Sequence, residues 1–358
     1  MVYGIYMQIR ICFVYPWATF GGCERVLINR ALAFRQYFPE ILIDFYFMHD
    51  AGGGQAFRLA LKKYGLEDTT SIVTSLDRNY DLVSLIDCPQ AIELCENRSQ
   101  RYIVECHTGY QDNREYLQKL SSSCEQVVVP SLSFKTLIEN EFLSLPTSVS
   151  LLRNFVPWGI DSFELSQKIS LPAWKRKPIL FFGRLDRLKD PLSILDAFQI
   201  LESRRKGEFM LLICGPKNPE INIEKELLMR SLDSISLVLP PVSFTSSRAL
   251  LNAVADSGGI FVSPSQSESF GLSAAEAISS IIPVALSDIK AHVDLVSGHE
   301  SMLTYPLGDT EKFAKCIENL FDHYDVARRA VTSVRNSFST EIFLEDWKKL
   351  MKKLGITI

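Results

Sequence analysis

Ser263-Pro-Ser-Gln-Ser-Glu-Ser-Phe-Gly-Leu-Ser-Ala-Ala-Glu276 closes the apolar run Ile260–Ser263 and sets two carboxylates, Glu268 and Glu276, with seven residues between them. That spacing is common by chance. Its setting gives it weight: an apolar strand end, a small-residue turn and a helix start follow one another. In doubly wound α/β domains such junctions hold phosphorylated ligands. A helix beginning near Phe270 would leave the N–H groups of Ser269, Phe270, Gly271 and Leu272 free for an anion, and Gly271 would let the backbone come close to it.

A second junction lies upstream in Leu180-Phe-Phe-Gly-Arg-Leu-Asp-Arg-Leu-Lys-Asp190, where Arg184 and Lys189 follow the apolar run Ile179–Phe182. A guanidinium gives bidentate hydrogen bonds to phosphate, and an ammonium adds a compact point charge. Such cations stabilise the negative charge left on a nucleoside diphosphate when an anomeric carbon–oxygen bond breaks. Cations and carboxylates interleaved at two strand ends suggest a sugar-nucleotide site. Glu276, about two turns into the helix at ~1.5 Å per residue, is placed to accept from both ribose hydroxyls. Glu268, on the preceding loop, would lie nearer the sugar.

Outward from these junctions the chain alternates strand-like and helix-period segments. In the first half the strands are expected at Ile9–Tyr15, Ile41–Met48, Ser71–Ser75, Leu82–Ile86, Tyr102–Cys106, Gln126–Val129 and Val149–Leu152. Helices are expected at Glu24–Tyr37, Gln55–Lys63, Gln90–Glu96 and Phe134–Glu141. The second half repeats the pattern, with strands at Ile179–Phe182, Met210–Cys214, Ser236–Leu239, Ile260–Ser263, Pro283–Leu286 and Met302–Tyr305. Its helices are expected at Pro191–Arg204, Ser246–Ala255, Leu272–Ser280 and Glu311–Tyr324. Alternation of this kind predicts parallel sheets covered on both faces. Between Phe155 and Pro178 the alternation pauses over Pro157, Gly159, Pro172 and the basic cluster Trp174-Lys-Arg-Lys177. The domains are therefore placed at 1–157 and 178–338, with a linker over 158–177 and a terminal amphipathic helix within 339–358.

Bulk properties narrow the class. A chain of 358 residues, 47% hydrophobic and 22% charged, has material for two cores. A net charge of −4 leaves no nucleic-acid footprint. The eight cysteines form no C-x-x-C pair, and buried, reduced thiols are expected rather than disulfides or a zinc site. Met1–Met7 are apolar, but Arg10 follows and neither a secretory signal nor a spanning segment is recognised, which points to a cytoplasmic protein. Arg25, Arg30 and Arg35 recur at five-residue intervals along the first helix. A solvated surface is the plain reading, and a peripheral membrane contact is the alternative.

In Thr19-Phe-Gly-Gly-Cys-Glu-Arg25, Gly21 and Gly22 allow a tight turn toward phosphates, and Glu24 suits the first turn of a helix. His107 closes the strand Tyr102–Cys106, at the end where ligand residues gather in open sheets. Together, Gly21-Gly-Cys-Glu-Arg25, His107, Arg153-Asn154, Gly183-Arg-Leu185 with Lys189, and Glu268 through Glu276 resemble retaining GT-B glycosyltransferases of the family 4 type (glycosyl transferases group 1). The resemblance runs from the first turn to Leu307-Gly-Asp309 and is most specific in the second half.

That resemblance implies two Rossmann-like doubly wound domains facing across a cleft, with the terminal helix crossing back to the first. It implies a nucleoside-diphosphate sugar donor, transfer with retention, and no cofactor or obligatory metal. It also implies a glycan or lipid-linked glycan acceptor, as in polysaccharide or lipopolysaccharide assembly. By the same resemblance Arg184 and Lys189 look like the diphosphate clamp, Glu276 the ribose ligand and Glu268 the acid near the donor sugar, while His107, from its strand-end place, is expected to contact a sugar hydroxyl or the backbone around the reacting carbon. Tyr110-Gln-Asp-Asn-Arg-Glu-Tyr116 is a candidate contributor to the acceptor site.

Three segments depart from the family pattern: Ser279-Ser-Ile-Ile-Pro283 has no glycine before its proline, Ile289-Lys-Ala-His-Val-Asp294 stands for Gly-Gly-x-x-Glu, and Asn154-Phe-Val-Pro157 for Asn-Gly-Val-Asp. These departures motivate the alternative of a catalytically inactive sugar-nucleotide-binding partner on the same fold. A dehydrogenase is disfavoured, since no G-x-G-x-x-G follows the first strand.

Overall fold

The computed structural model describes residues 8–19, 21–157, 160 and 175–358. Met1–Met7, Phe20 and most of the expected linker fall outside them. The chain divides into two compact units, Met1–Asp161 with Ser339–Ile358, and Ser162–Phe338.

The first unit holds a parallel sheet of β1 (Ile9–Ala18), β2 (Ile41–Asp50), β3 (Thr70–Val73), β4 (Leu82–Ile86), β5 (Tyr102–Glu105), β6 (Cys124–Val129) and β7 (Val149–Leu151), in the order β3-β2-β1-β4-β5-β6-β7. The second holds β8 (Lys177–Phe182), β9 (Phe209–Cys214), β10 (Ser236–Leu239), β11 (Ile260–Ser263), β12 (Val284–Ser287) and β13 (Thr304–Tyr305), in the order β10-β9-β8-β11-β12-β13. Every pair is parallel. β4, β9 and β11 are buried along their whole length, as parallel strands covered by helices on both faces must be. The order of each sheet reverses once, between β1 and β4 in the first and between β8 and β11 in the second. Ligands collect outside the carboxyl ends of strands at such reversals.

Several elements differ from the sequence reading. β1 continues past Tyr15 through Pro16 to Ala18, paired to β2, after its pairing with β4 has ended at Val14↔Leu85. Proline is tolerated there because one side of the strand no longer needs a donor. Met302 and Leu303 belong to the short helix Glu300–Leu303, so β13 is only Thr304–Tyr305. Helices Ile223–Met229, Lys290–Leu295 and Tyr324–Val334 and the 3-10 segment Asp112–Lys119 were not anticipated. In that segment Arg114 is buried against Glu141 at 2.7 Å and Phe134, and Tyr116 turns its hydroxyl inward. Those two residues pack the segment against the domain.

Ile281 takes a φ of 58°, in the left-handed region that suits glycine, at the departure noted before Pro283. A β-branched side chain there is strained.

The even spacing of Arg25, Arg30 and Arg35 does not make one face. Five residues turn a helix by about 140° beyond a full circle. Arg30 accordingly points inward, 1% exposed, and makes two 2.7 Å hydrogen bonds to Glu105, while Arg35 lies at the surface on the carbonyls of Tyr64 and Gly65. All eight cysteines are free thiols, seven of them buried.

The terminal helix, Thr340–Lys353, packs on the first unit. Phe343 and Trp347 lie against Phe34, Phe155 stacks on Phe343 at 4.4 Å, and Asp346 accepts from Arg153 Nε and Nη2 at 2.6 and 2.7 Å. Arg153, part of the quoted resemblance, is thus an anchor for this helix. Among the described residues no helix is long and apolar enough to cross a membrane.

Candidate functional site

The loop after β8 and the loop after β11 leave adjacent strands at the reversal of the second sheet, and hydrogen bonds join them. Gln266 N–H donates to the Leu188 carbonyl at 2.8 Å, Gln266 Nε2 donates to Asp190 at 2.6 Å, and Lys189 Nζ donates to Glu268 Oε1. Asp186 shapes the first loop from within. It is 2% exposed and accepts from the Lys189 backbone N–H at 2.9 Å and from Arg184 Nε at 2.7 Å. Asp190 ends the loop as the N-cap of helix Pro191–Arg204, holding Ser193 by its N–H and hydroxyl. Gly183 sits under the Lys189 stem, and a Cβ on Gly215 would stand 1.8 Å from the Gly183 carbonyl oxygen. Sequence reading passed over Gly215, which lets the turns after β8 and β9 touch.

Glu268 also accepts from Ser265 Oγ at 2.8 Å. Burial pushes its carboxyl up, but the Lys189 ammonium and the surrounding hydrogen bonds outweigh burial and hold it below the ordinary carboxylate range. Beneath it lies His292, fully buried. Its Nδ1 faces the Ser287 carbonyl at 3.0 Å and the Ser287 hydroxyl at 3.1 Å, and its Nε2 faces Ser263 Oγ at 3.4 Å. Burial pushes this imidazole down to about 4, so the ring is neutral near pH 7.

The helix after the second loop runs Leu272–Ser279, starting at the expected Leu272 and not near Phe270. Its free N–H groups therefore belong to Leu272, Ser273 and Ala274 with the cap Gly271, while Ser269 and Phe270 precede it. Phe270 is 7% exposed and packs edge-on to Phe338. Gly271 is needed for its φ of 89° and because a Cβ would crowd Leu295 and His292 at 3.2 and 3.3 Å. Packing is thus one reason for glycine at this turn, beside the ligand approach expected from the sequence. Glu276 follows Leu272 by four residues, about one turn rather than two, and is half-buried. Arg184 remains 43% exposed on the loop with Asp186.

In the first unit, His107, Gly21 and Gly22 stand at the carboxyl ends of β5 and β1. His107 Nε2 lies 3.0 Å from Glu105 Oε2, and its backbone N–H donates to Asp87 Oδ1 at 2.9 Å. Glu105 is completely buried and also accepts from Arg30 and from Ser84 Oγ at 2.5 Å. Burial alone would raise its carboxyl, yet Arg30 and His107 hold it far below the ordinary range. Asp87, by contrast, is pushed up by burial, with His107 offsetting part of the shift. Gly21 is the N-cap of helix Gly22–Tyr37, and Glu24 folds back to accept from the N–H and hydroxyl of Thr19. A Cβ on Gly21 would meet that carboxylate at 3.0 Å, whereas around Gly22 nothing lies within 4 Å. The second glycine is the one with open space above it.

Residues 176–323 match the family model described as Glycosyl transferases group 1. A curated relative, D-inositol 3-phosphate glycosyltransferase of Pseudarthrobacter chlorophenolicus, is 31% identical over 166 residues, 44% of this chain and 39% of that protein. The chain thus spans about two fifths of the length of the curated relative it matches. Among solved structures, a mutant of S. aureus TarM in complex with Fondaparinux, alpha-GlcNAc-glycerol and UDP superposes with a TM-score of 0.76 at 14% identity, over 96% of this chain and 99% of that one. The pneumococcal O-GlcNAc transferase GtfA, in complex with UDP and GlcNAc, gives 0.74 at 11% identity over 97% and 99%. Anabaena HepE, in complex with UDP and glucose, gives 0.73 at 15% identity over 96% and 100%. At such identities the likeness establishes the fold: two Rossmann-like parallel-sheet domains of the GT-B type.

Proposed function

We propose that this chain is a glycosyltransferase that moves a sugar from a nucleoside-diphosphate sugar to a glycan or lipid-linked glycan, with retention, in the manner of family 4 enzymes. The observation that carries the reading is the Lys189–Glu268 pair at the β8/β11 reversal, a few residues before the open start of helix Leu272–Ser279. A cation and free N–H groups suit a pyrophosphate, and a carboxylate beside them suits the electron-poor sugar carbon that forms as it leaves. Arg184 is the second cation and Glu276 the ribose ligand. The matched family model and the UDP complexes of TarM, GtfA and HepE support this reading and make UDP-sugars the first donors to try.

On this reading the cations and the helix start neutralise the diphosphate without an obligatory divalent metal, and transfer proceeds by departure and attack on one face. The acceptor belongs to polysaccharide or lipopolysaccharide-type assembly at the cytoplasmic side of a membrane, with peripheral contact.

The experiment is a thermal-shift screen of UDP-, GDP- and ADP-sugars, followed by nucleotide release and NMR of the product anomer, with and without chelator. A donor at 100 times its Kd stabilises the fold by about 2.7 kcal/mol. Arg184→Ala is expected to reduce turnover more than stability, and Glu276→Ala to weaken donor binding. Stabilisation by no donor, or release untouched by either change, refutes the assignment. Lys290 and Ala291, in place of glycines, favour a second reading as a non-catalytic binder. Donor binding with no nucleotide released across an acceptor panel would select it.

A further inference from the structure

Glu268 does not end at Lys189. A row of buried groups runs from its carboxylate inward: Ser265 Oγ at 2.8 Å, Ser263 Oγ at 3.0 Å from Ser265, and His292 Nε2 at 3.4 Å from Ser263. Ser263, Ser265 and His292 are 6%, 1% and 0% exposed, so water does not complete their hydrogen bonding from solvent.

Ser287 Oγ donates to the Ser265 carbonyl at 2.6 Å, so it offers His292 only a lone pair, and the Ser287 carbonyl offers another. Both require the proton on Nδ1, and a neutral ring then has none on Nε2. Between Nε2 and Glu268 there are three contacts and two hydroxyl protons. Ionised Glu268 claims the proton of Ser265. That of Ser263 serves Ser265 or His292, not both. The row is one proton short. One added proton fills every contact, either on Nε2 with Glu268 ionised or on Glu268 with the ring neutral.

We propose that Ser263 and Ser265 couple Glu268 to His292 as one proton-sharing row, in which His292 is a positioning residue that fixes the Glu268 carboxylate and lets it take up a proton when an anionic ligand competes for Lys189. Lys189 from the loop after β8 and Glu268 from the loop after β11 are the charges acting on His292. Asp288, Lys290 and Asp294, beside it on its own segment, lie at the surface. The consequence for catalysis rests on the transferase reading, but the coupling itself does not.

The test is NMR of the full chain labelled at its five histidines, with His292→Phe identifying the signal. The wild type is expected to show His292 neutral with its proton on Nδ1. Ser265→Ala and Glu268→Gln, two and three contacts away, are each expected to move the Nε2 resonance. Ser333→Ala, beside His299, should move only the signal of that histidine. An Nε2 resonance unchanged by both Ser265→Ala and Glu268→Gln overturns the proposal. In turnover, His292→Phe should lower kcat about 10–100-fold, as misplacing a catalytic group does, with donor KM little changed. Added to Ser265→Ala it should cost nothing more, and multiplicative losses would also overturn the coupling. Ser265→Ala, which removes one oxygen, keeps both readouts open should His292→Phe not fold. A wild type with coupled signals and no sugar transfer would sink the transferase reading alone.

Discussion

Lys189 and Glu268, 79 residues apart in the chain, meet as an ion pair across the reversal of the second sheet, and Ser265 shares the same carboxylate oxygen. Two loops on neighbouring strands are thereby held as one unit. Replacing Lys189 by methionine leaves a nine-tenths covered carboxylate with hydroxyl support but no cation.

We expect Lys189→Met to lower turnover by about 10²–10³-fold, the loss typical of a missing electrostatic group. Stability should fall by about 1–3 kcal/mol at neutral pH, less than for a wholly buried pair because both side chains retain some exposure. Since Glu268 is held below its ordinary range, its contribution is present above that range and disappears as pH falls through the lowered value. Urea melts at pH 7 and pH 4 should therefore differ most between the two proteins at pH 7.

The fully buried Arg30–Glu105 pair predicts a larger effect. Glu105→Ala strands a guanidinium in the core and should cost about 3–5 kcal/mol. The strongly lowered Glu105 carboxyl gives up its stabilising effect only gradually as pH falls below the ordinary carboxylate range, and acid unfolding should begin at higher pH in the variant, which lacks that contribution. Circular dichroism against pH checks this. An unchanged acid midpoint would contradict the geometry.

Glycines separate by what surrounds them. Gly215→Ala drives a Cβ into the Gly183 carbonyl and should destabilise by about 1–3 kcal/mol while disordering the loop that carries Arg184. Gly22→Ala meets open space and should leave the melting temperature almost unchanged. A large loss of donor affinity in Gly22→Ala alone would then report a ligand at that turn.

Ile281 offers a stabilising change. Glycine at this left-handed position removes about 1–2 kcal/mol of strain and returns part of it through a more flexible unfolded chain. Thermal melting of Ile281→Gly should rise by a few degrees at most and must not fall.

Some of this was readable from the chain because the signals are local. Glu268 and Lys189 announce themselves by following apolar strands, and Asp186 had a findable mark, an acid three residues before the N–H it accepts. The packing reasons for Gly271 were not legible, since neither its φ nor the approach of His292 and Leu295 has a sequence signature. Arg30 and His292 were misread or missed because their partners lie elsewhere: Glu105 is 75 positions from Arg30, and Ser263 is 29 from His292. A periodicity argument cannot see a core contact of that range, and an even row of arginines looked like surface until one turned inward.

The last helix bears on how the protein is born. Trp347 and Phe343 complete the interior around Phe34 and Phe155, so the opening domain lacks part of its centre until residues 340–353 have left the ribosome. The intervening domain, whose strands all lie between 177 and 305, is translated whole before then. Domains usually mature in the order they are made. Here the middle one finishes first, and the preceding domain waits for the helix Thr340–Lys353.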